Sequence, residues 1–329
     1  MPQRWKGGWH GRRDAGDSDY RHRGKDGQGM GGLMTKIPWT NETINPWVGC
    51  TKCAAGCLHC YAEKMAWRLK CMGKPAYQEV LDDNHKWNGN IVRQAGQIEK
   101  VLGWRKPRRI FWGSMTDIFH PKVPFEWIDE MMAVIALTPQ HTHQILTKRI
   151  ERAAEYFGKE YLPKRAENVS KQMQIIKRNP YFYLQDCCID DKVGLVLPNL
   201  WLGTSISTQA DADKNIPILL QTPAAVRFIS LEPMLEMIQD ACHGFPRPQI
   251  PFDRRMIYGW FWEELDQVII GCESGPKRRP CKLEWIEYAV NQCDEANVPV
   301  FVKQIEIGGK VSHNPKEWPK WARRQEYPK

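Results

Sequence analysis

RIFWGSMTDIFHPKVPFEWIDEMMAVIA, residues 109–136, holds one complete strand–loop–helix unit. Residues 109–114 are a β-rich apolar run, and Ser114 and Asp117 stand at its polar exit. Residues 124–136 follow with helical spacing. Ile128, Met131, Met132 and Ile135 share one face, and Pro124 suits a first-turn position. A continuous apolar strand reads as buried on both faces, as in a parallel sheet covered by helices.

The unit recurs in both directions. Further strands are expected at 144–147, 200–205, 226–231, 267–272 and 298–302, with one more leading into residue 50. Helices are expected at 61–71, 151–161, 208–220 and 283–296. About seven βα-type units predict an α/β fold, a complete or partial (β/α) barrel. No G-x-G-x-x-G or P-loop string is present, which argues against an open dinucleotide-binding sheet. Two stretches break the repeat and read as insertions. Residues 163–198 carry a helix at 166–178, then Tyr181, Phe182, Tyr183, Cys187 and Cys188. Residues 237–259 contain HGFPRPQIPFDRR.

Upstream of the quoted unit lies GCTKCAAGCLHCYAE, with Cys50, Cys53, Cys57 and Cys60 inside eleven residues. Thiolates this dense before a helix point to a metal or an iron–sulfur cluster. Cys53, Cys57 and Cys60 have C-x3-C-x2-C spacing, which can hold three irons of a 4Fe-4S cluster and leave the fourth open for a small molecule. Zinc is the main rival, but its two knuckles usually stand a dozen or more residues apart, and here three residues separate them. Disulfides are the other rival. Eleven cysteines, an odd number scattered through a large chain, fit a reducing cytosol better.

The chain has 329 residues and a net charge of +9. No apolar run approaches the roughly 18 residues of a membrane span. Residues 1–33 are basic, rich in Gly and poor in aliphatics, so they are expected to be a disordered tail that the fold does not need. Two explanations stand for them: a nucleic-acid arm, or a start codon chosen upstream of Met34. Residues 34–307 are expected to be the body and 308–329 a second basic tail. Basic tails and 15 Trp offer phosphate contacts and stacking surfaces, though solvated ends and core filling explain them equally well.

Chemistry on a barrel gathers at the C-terminal ends of its strands. After the cysteines those ends carry Ser114 and Asp117, then Thr147, Lys148 and Arg149, then Thr204, Ser205 and Ser207. Glu232, Glu273 with Ser274, and Lys303 with Gln304 complete the set. Any one of them reads equally as a helix cap. Several buried charges converging on one rim read as a polar pocket.

Six blocks carry a family resemblance: residues 39–66, 105–120, 136–149, 200–207, 219–233 and 268–280. They resemble the phage-type three-cysteine proteins, long described as a domain of unknown function, and through them the radical S-adenosylmethionine superfamily. The resemblance implies a 4Fe-4S cluster, S-adenosylmethionine, an external one-electron donor and a 5′-deoxyadenosyl radical. Asp117 or Ser114 would hold the amino group of the cofactor, and Lys148 and Arg149 its carboxylate. Glu232, Glu273 and Lys303 would face ribose or substrate, and Ser205 belongs with them to the cofactor-binding set. The phage association, the tails and the Trp content point to a nucleic-acid or nucleotide substrate. A non-catalytic iron–sulfur or zinc protein that binds nucleic acid is the alternative. Two departures stand out. The family spacing C-x6-C-x2-C selects Cys50, Cys57 and Cys60, whereas C-x3-C-x2-C selects Cys53, so the first ligand stays open. Cys272 stands where the family often has glycine.

Overall fold

The computed structural model describes residues 37–181, 183–184, 189–190, 194–239, 261–275 and 277–328. All belong to one compact unit, residues 34–329. Phe182, Cys187 and Cys188, nearly all of 237–259 and the expected N-terminal tail lie outside the described residues.

The main sheet has eight strands. They are β1 (Glu42–Ile44), β2 (Arg109–Trp112), β3 (Thr142–Thr147), β4 (Leu200–Ile206), β5 (Val226–Leu231), β6 (Gln267–Gly271), β7 (Val300–Ile307) and β8 (Lys310–Ser312). Their spatial order is their chain order. Every pairing is parallel except the closing β7–β8 hairpin. The helices are α1 (Tyr61–Cys71), α2 (Phe125–Ala136), α3 (Ile150–Phe157), α4 (Leu162–Lys177), α5 (Gln209–Gln221) and α6 (Leu283–Glu295).

A strand order that never reverses has no switch point. Right-handed crossovers then put every connecting helix on the same face. The burial pattern agrees. Ile110, Trp112, Ile145, Leu202, Ile229, Val268, Ile270, Val300 and Val302 point into one large core with the helices. The alternate residues Phe111, Phe228, Ile269 and Phe301 form a second, smaller cluster around Trp39. That second face is concave. β2 and β7 are five strand spacings apart, about 24 Å along a flat sheet. Yet the Tyr327 ring lies 3.9 Å from the Arg109 guanidinium of β2 and 5.5 Å from the Phe301 ring of β7. Trp39 spans the same hollow, 4.7 Å from Phe111 and 6.3 Å from Phe228.

The fold is therefore mixed α/β with a curled, mostly parallel sheet. A complete barrel is not formed among the described residues, because β1 and β8 each pair with one neighbour only. The basic end, expected as a tail from residue 308, is packed instead. β8 pairs with β7, Gln325 bridges to Phe301, and Trp318 and Ala322 are buried. Its aromatic residues outweigh its charge. Pro124 stands one residue before α2 in extended conformation, as the cap rather than in the first turn. α4 falls in the irregular stretch and is tied to the body by a buried cluster: Asp129 of α2 accepts from Tyr156, Arg165 and Asn168.

Two buried histidines make the fold acid-sensitive. His143 is enclosed between the Trp112 indole N–H and the Thr138 hydroxyl, each at 3.0 Å. Burial pushes it down to about 3, and burial with Arg149 nearby pushes His120 down to about 4. The unfolded chain protonates both near pH 6.5, so it binds protons that the folded state refuses. Stability is then fully present above about pH 6.5 and falls as pH drops toward 4. By pH 5 the His143 linkage has removed about 2 kcal/mol of that stability. Thermal melts at pH 7.5 and pH 5 should show a clearly lower Tm at pH 5. An equal Tm at both would contradict buried neutral imidazoles.

Candidate metal centre

The cysteine segment leaves β1, turns through a short antiparallel pair (Trp47–Val48 with Val92–Arg93) and enters α1 after a 3-10 turn at Ala55–Cys57. It lies across the C-terminal ends of the strands and touches the exit of each one from β2 to β6. At β2, Thr116 donates to Gly49 O at 2.8 Å and the Tyr61 hydroxyl to Ser114 O at 2.8 Å. At β3, Arg149 donates to Thr51 O at 2.8 Å and to its hydroxyl at 2.9 Å. At β4 and β5 the contact is steric. A Cβ on Gly56 would stand 2.2 Å from the Ser207 hydroxyl and 3.2 Å from Pro233, so a side chain there would have to displace Ser207. At β6, His59 lies 3.0 Å from Glu273, and Arg279 donates to Ala55 O at 2.9 Å.

All four cysteines are free thiols. Cys53 is exposed, and Cys50, Cys57 and Cys60 are half-buried. Burial, with Asp117 adding, pushes the Cys50 thiol up to about 12 against the pull of Arg149. Cys53 donates its hydrogen to Cys57, which raises Cys53 and holds Cys57 down to about 5 despite burial, with Lys148 assisting. Among the described residues no three His, Cys, Asp or Glu side chains are gathered to hold a single metal ion.

The expected rim residues share this end of the sheet in three groups. In the first, Lys148 donates to Ser205, Ser205 donates to Glu232 O at 3.1 Å, and Glu232 pairs with Lys303. Gln304 also donates to Glu232, at 3.3 Å. Among the described residues Lys148 has no carboxylate partner, so the group carries one unmatched cation.

In the second group Asp117 accepts from four protein donors. They are Phe119 N at 3.0 Å, Thr147 Oγ1 at 2.7 Å, Lys148 N at 3.1 Å and Arg149 Nη1 at 2.9 Å. A carboxylate offers about four acceptor positions. Asp117 is therefore filled by these four protein donors. Its work is to fix Arg149, whose other donors reach Thr51 and, at 4.0 Å, the Cys50 sulfur. Ser114 exchanges hydrogen bonds with Asn45 at the β1 exit, so its hydroxyl ties two loops together.

In the third group Glu273 is gripped by the Arg279 backbone at 2.7 Å, by its guanidinium and by His59. Burial alone would raise it, but these bonds win and hold it down to about 2. Cys272, one residue before, is buried and hands its carbonyl to Gln304 at 2.7 Å. Sequence reading missed Thr51, His59, His120 and Arg279. His59 carried a signal, since it lies between two cysteines. The Arg residues after Glu273 carried another. His120 carried none, because it reaches Thr51 only through the fold, at 3.0 Å.

A family described as "Protein of unknown function (DUF5131)" matches residues 34–325. The chain belongs to that family. The match starts at Met34, one residue after the expected tail, and runs through the packed C-terminal strap. No curated protein and no solved structure matches the chain. Among the described residues no helix of this DUF5131 chain is long and apolar enough to cross a membrane.

Proposed function

We propose that this protein is a radical S-adenosylmethionine enzyme built on a partial (β/α) barrel, with its cluster on Cys57, Cys60 and one of Cys50 and Cys53. The observation that carries the reading is a loop of four free thiols lying over the ends of β2 to β6. The donor set is all thiolate, and its two C-x2-C pairs stand only three residues apart, which suits a polynuclear cluster better than a structural zinc site. A cluster on three thiolates is anionic, and the unmatched Lys148 beside Cys57 supplies the balancing charge.

When bound, the cluster and S-adenosylmethionine would supply a 5′-deoxyadenosyl radical for hydrogen abstraction from a nucleic-acid or nucleotide substrate. The chain would do the rest. Lys148, with an ammonium free of carboxylate partners, would take the cofactor carboxylate. Arg149 would hold the loop backbone at Thr51 and lend charge to Cys50. Glu232, fixed by Lys303 and Gln304, would accept hydroxyl hydrogen bonds from the ribose. Glu273 would orient His59, and the loop lying across the strand ends would keep water from the hollow.

The test is anaerobic reconstitution, reduction and addition of S-adenosylmethionine. Formation of 5′-deoxyadenosine is expected. A protein fully loaded with cluster that leaves the cofactor intact would overturn the enzymatic reading and leave an iron–sulfur scaffold for nucleic acid.

A further inference from the structure

We propose that the outer face of α1, beside the cysteine loop, is a docking track for single-stranded nucleic acid. The inference rests on the functional reading above for its substrate class and adds the surface that would recognise it. Tyr61, Lys64, Trp67 and Arg68 are all exposed and follow helical spacing. Both aromatic rings are immobilised although they face solvent. Tyr61 is 51% exposed, and its hydroxyl is tied to Ser114 O at 2.8 Å. Trp67 is 36% exposed and lies on His85, with centroids 3.4 Å apart and planes at 22°. The two residues are about 9 Å apart along the helix axis. Rigid, exposed rings stack unpaired bases at little entropic cost.

The charge on this face is uncompensated. Elsewhere on the surface, cations of the helices find carboxylates: Lys171 pairs with Glu167 at 2.5 Å and Lys214 with Glu151 at 2.6 Å. Among the described residues Lys64 and Arg68 have no such partner. Glu63, the one acid of α1, is buried and turned toward Lys52 at 3.2 Å and Lys86 at 3.0 Å. In sequence the acids beside His85 are Asp82 and Asp83, and Asp82 already accepts from the Lys86 amide at 2.8 Å. Lys64 also reaches the β6 exit, where a Cβ on Gly275 would be 3.1 Å from its Nζ. The track therefore ends at the strand ends that carry the cysteine loop. Phosphates along Lys64 and Arg68 would leave a base against Tyr61, next to Cys60. A duplex keeps its bases stacked on one another and cannot use the rings.

Fluorescence anisotropy of the full chain with a short labelled oligo(dT) tests the proposal. Lys64→Glu/Arg68→Glu should weaken binding on the order of 100-fold and flatten its salt dependence. Trp67→Ala should weaken it about 10-fold and leave the salt slope unchanged. Lys64→Gln/Arg68→Gln provides a milder variant if the charge reversal lowers the Tm. Iron content and 5′-deoxyadenosine formed without oligonucleotide should match wild type in every variant, so failure of docking and failure of the radical chemistry are read separately. The docking proposal is overturned by any of three results: no binding by wild type, wild-type affinity in the variants, or equal affinity for a duplex of the same length. Residues 1–33 are present throughout, so their charge cannot account for a difference.

Discussion

Cys57→Ala and Cys60→Ala should each yield a folded protein that retains almost no iron after anaerobic reconstitution. Cys57 and Cys60 serve both spacings that the segment allows, and three thiolates suffice for a cluster with one open iron. Cys57 is also the sulfur held lowest, to about 5, so it is the readiest to bind as thiolate. Of Cys50→Ala and Cys53→Ala, only one should lose the iron. The surroundings of the two differ sharply, since Cys50 sits beside Arg149 and Cys53 is exposed. Iron and sulfide analysis with Mössbauer spectroscopy decides the matter. Equal loss in all four variants would mean four-cysteine ligation and would sink the open-iron mechanism. Stoichiometric zinc in place of iron would sink the cluster itself.

Arg149→Leu should cost about 3 kcal/mol of stability and also lower iron content. The guanidinium is nearly buried against Asp117 and is the link between the β3 exit and Thr51. Deleting it strands a buried carboxylate, which is the expensive way to break such a pair. Asp117→Asn/Arg149→Leu should recover most of the stability, because no charge is left unmatched, yet still load iron poorly because Thr51 has lost its anchor. Urea denaturation and iron analysis on the two proteins separate these effects. If the double variant regained full iron content, Arg149 would act on the fold alone.

The repeating unit was legible because its pattern is local. β5 falls at 226–231 and α1 at 61–71, as their apolar runs predict. α5 starts one residue after the expected 208, because Thr208 is its cap and exchanges bonds with Asp211. The rim was legible for the same reason, since polar residues at strand ends need only the strand to be placed. What the charged groups do to one another was not. Asp117 looks like an open ligand in sequence, yet three of its four donors come from the end of β3 and the start of α3, some thirty residues on. The C-terminal strap was misread because its charge is visible in composition, whereas the burial of Trp318 against the body is not. Closure of the sheet also escaped pattern reading, since curl depends on how Trp39 and Tyr327 fill the concave face.

The position of the cysteine segment also sets an order of events during synthesis. Cys50 to Cys60 leave the ribosome early, yet the bond from Arg279 to Ala55 joins residues 224 positions apart. The thiols therefore stay unsupported while most of the polypeptide is still being made. They reach their final setting only after β6 and the turn behind it have emerged. Whatever the cysteines carry is best delivered to a finished chain, since a truncated product ending before residue 267 would lack both β6 and the Arg279 bond that secure the cysteine segment.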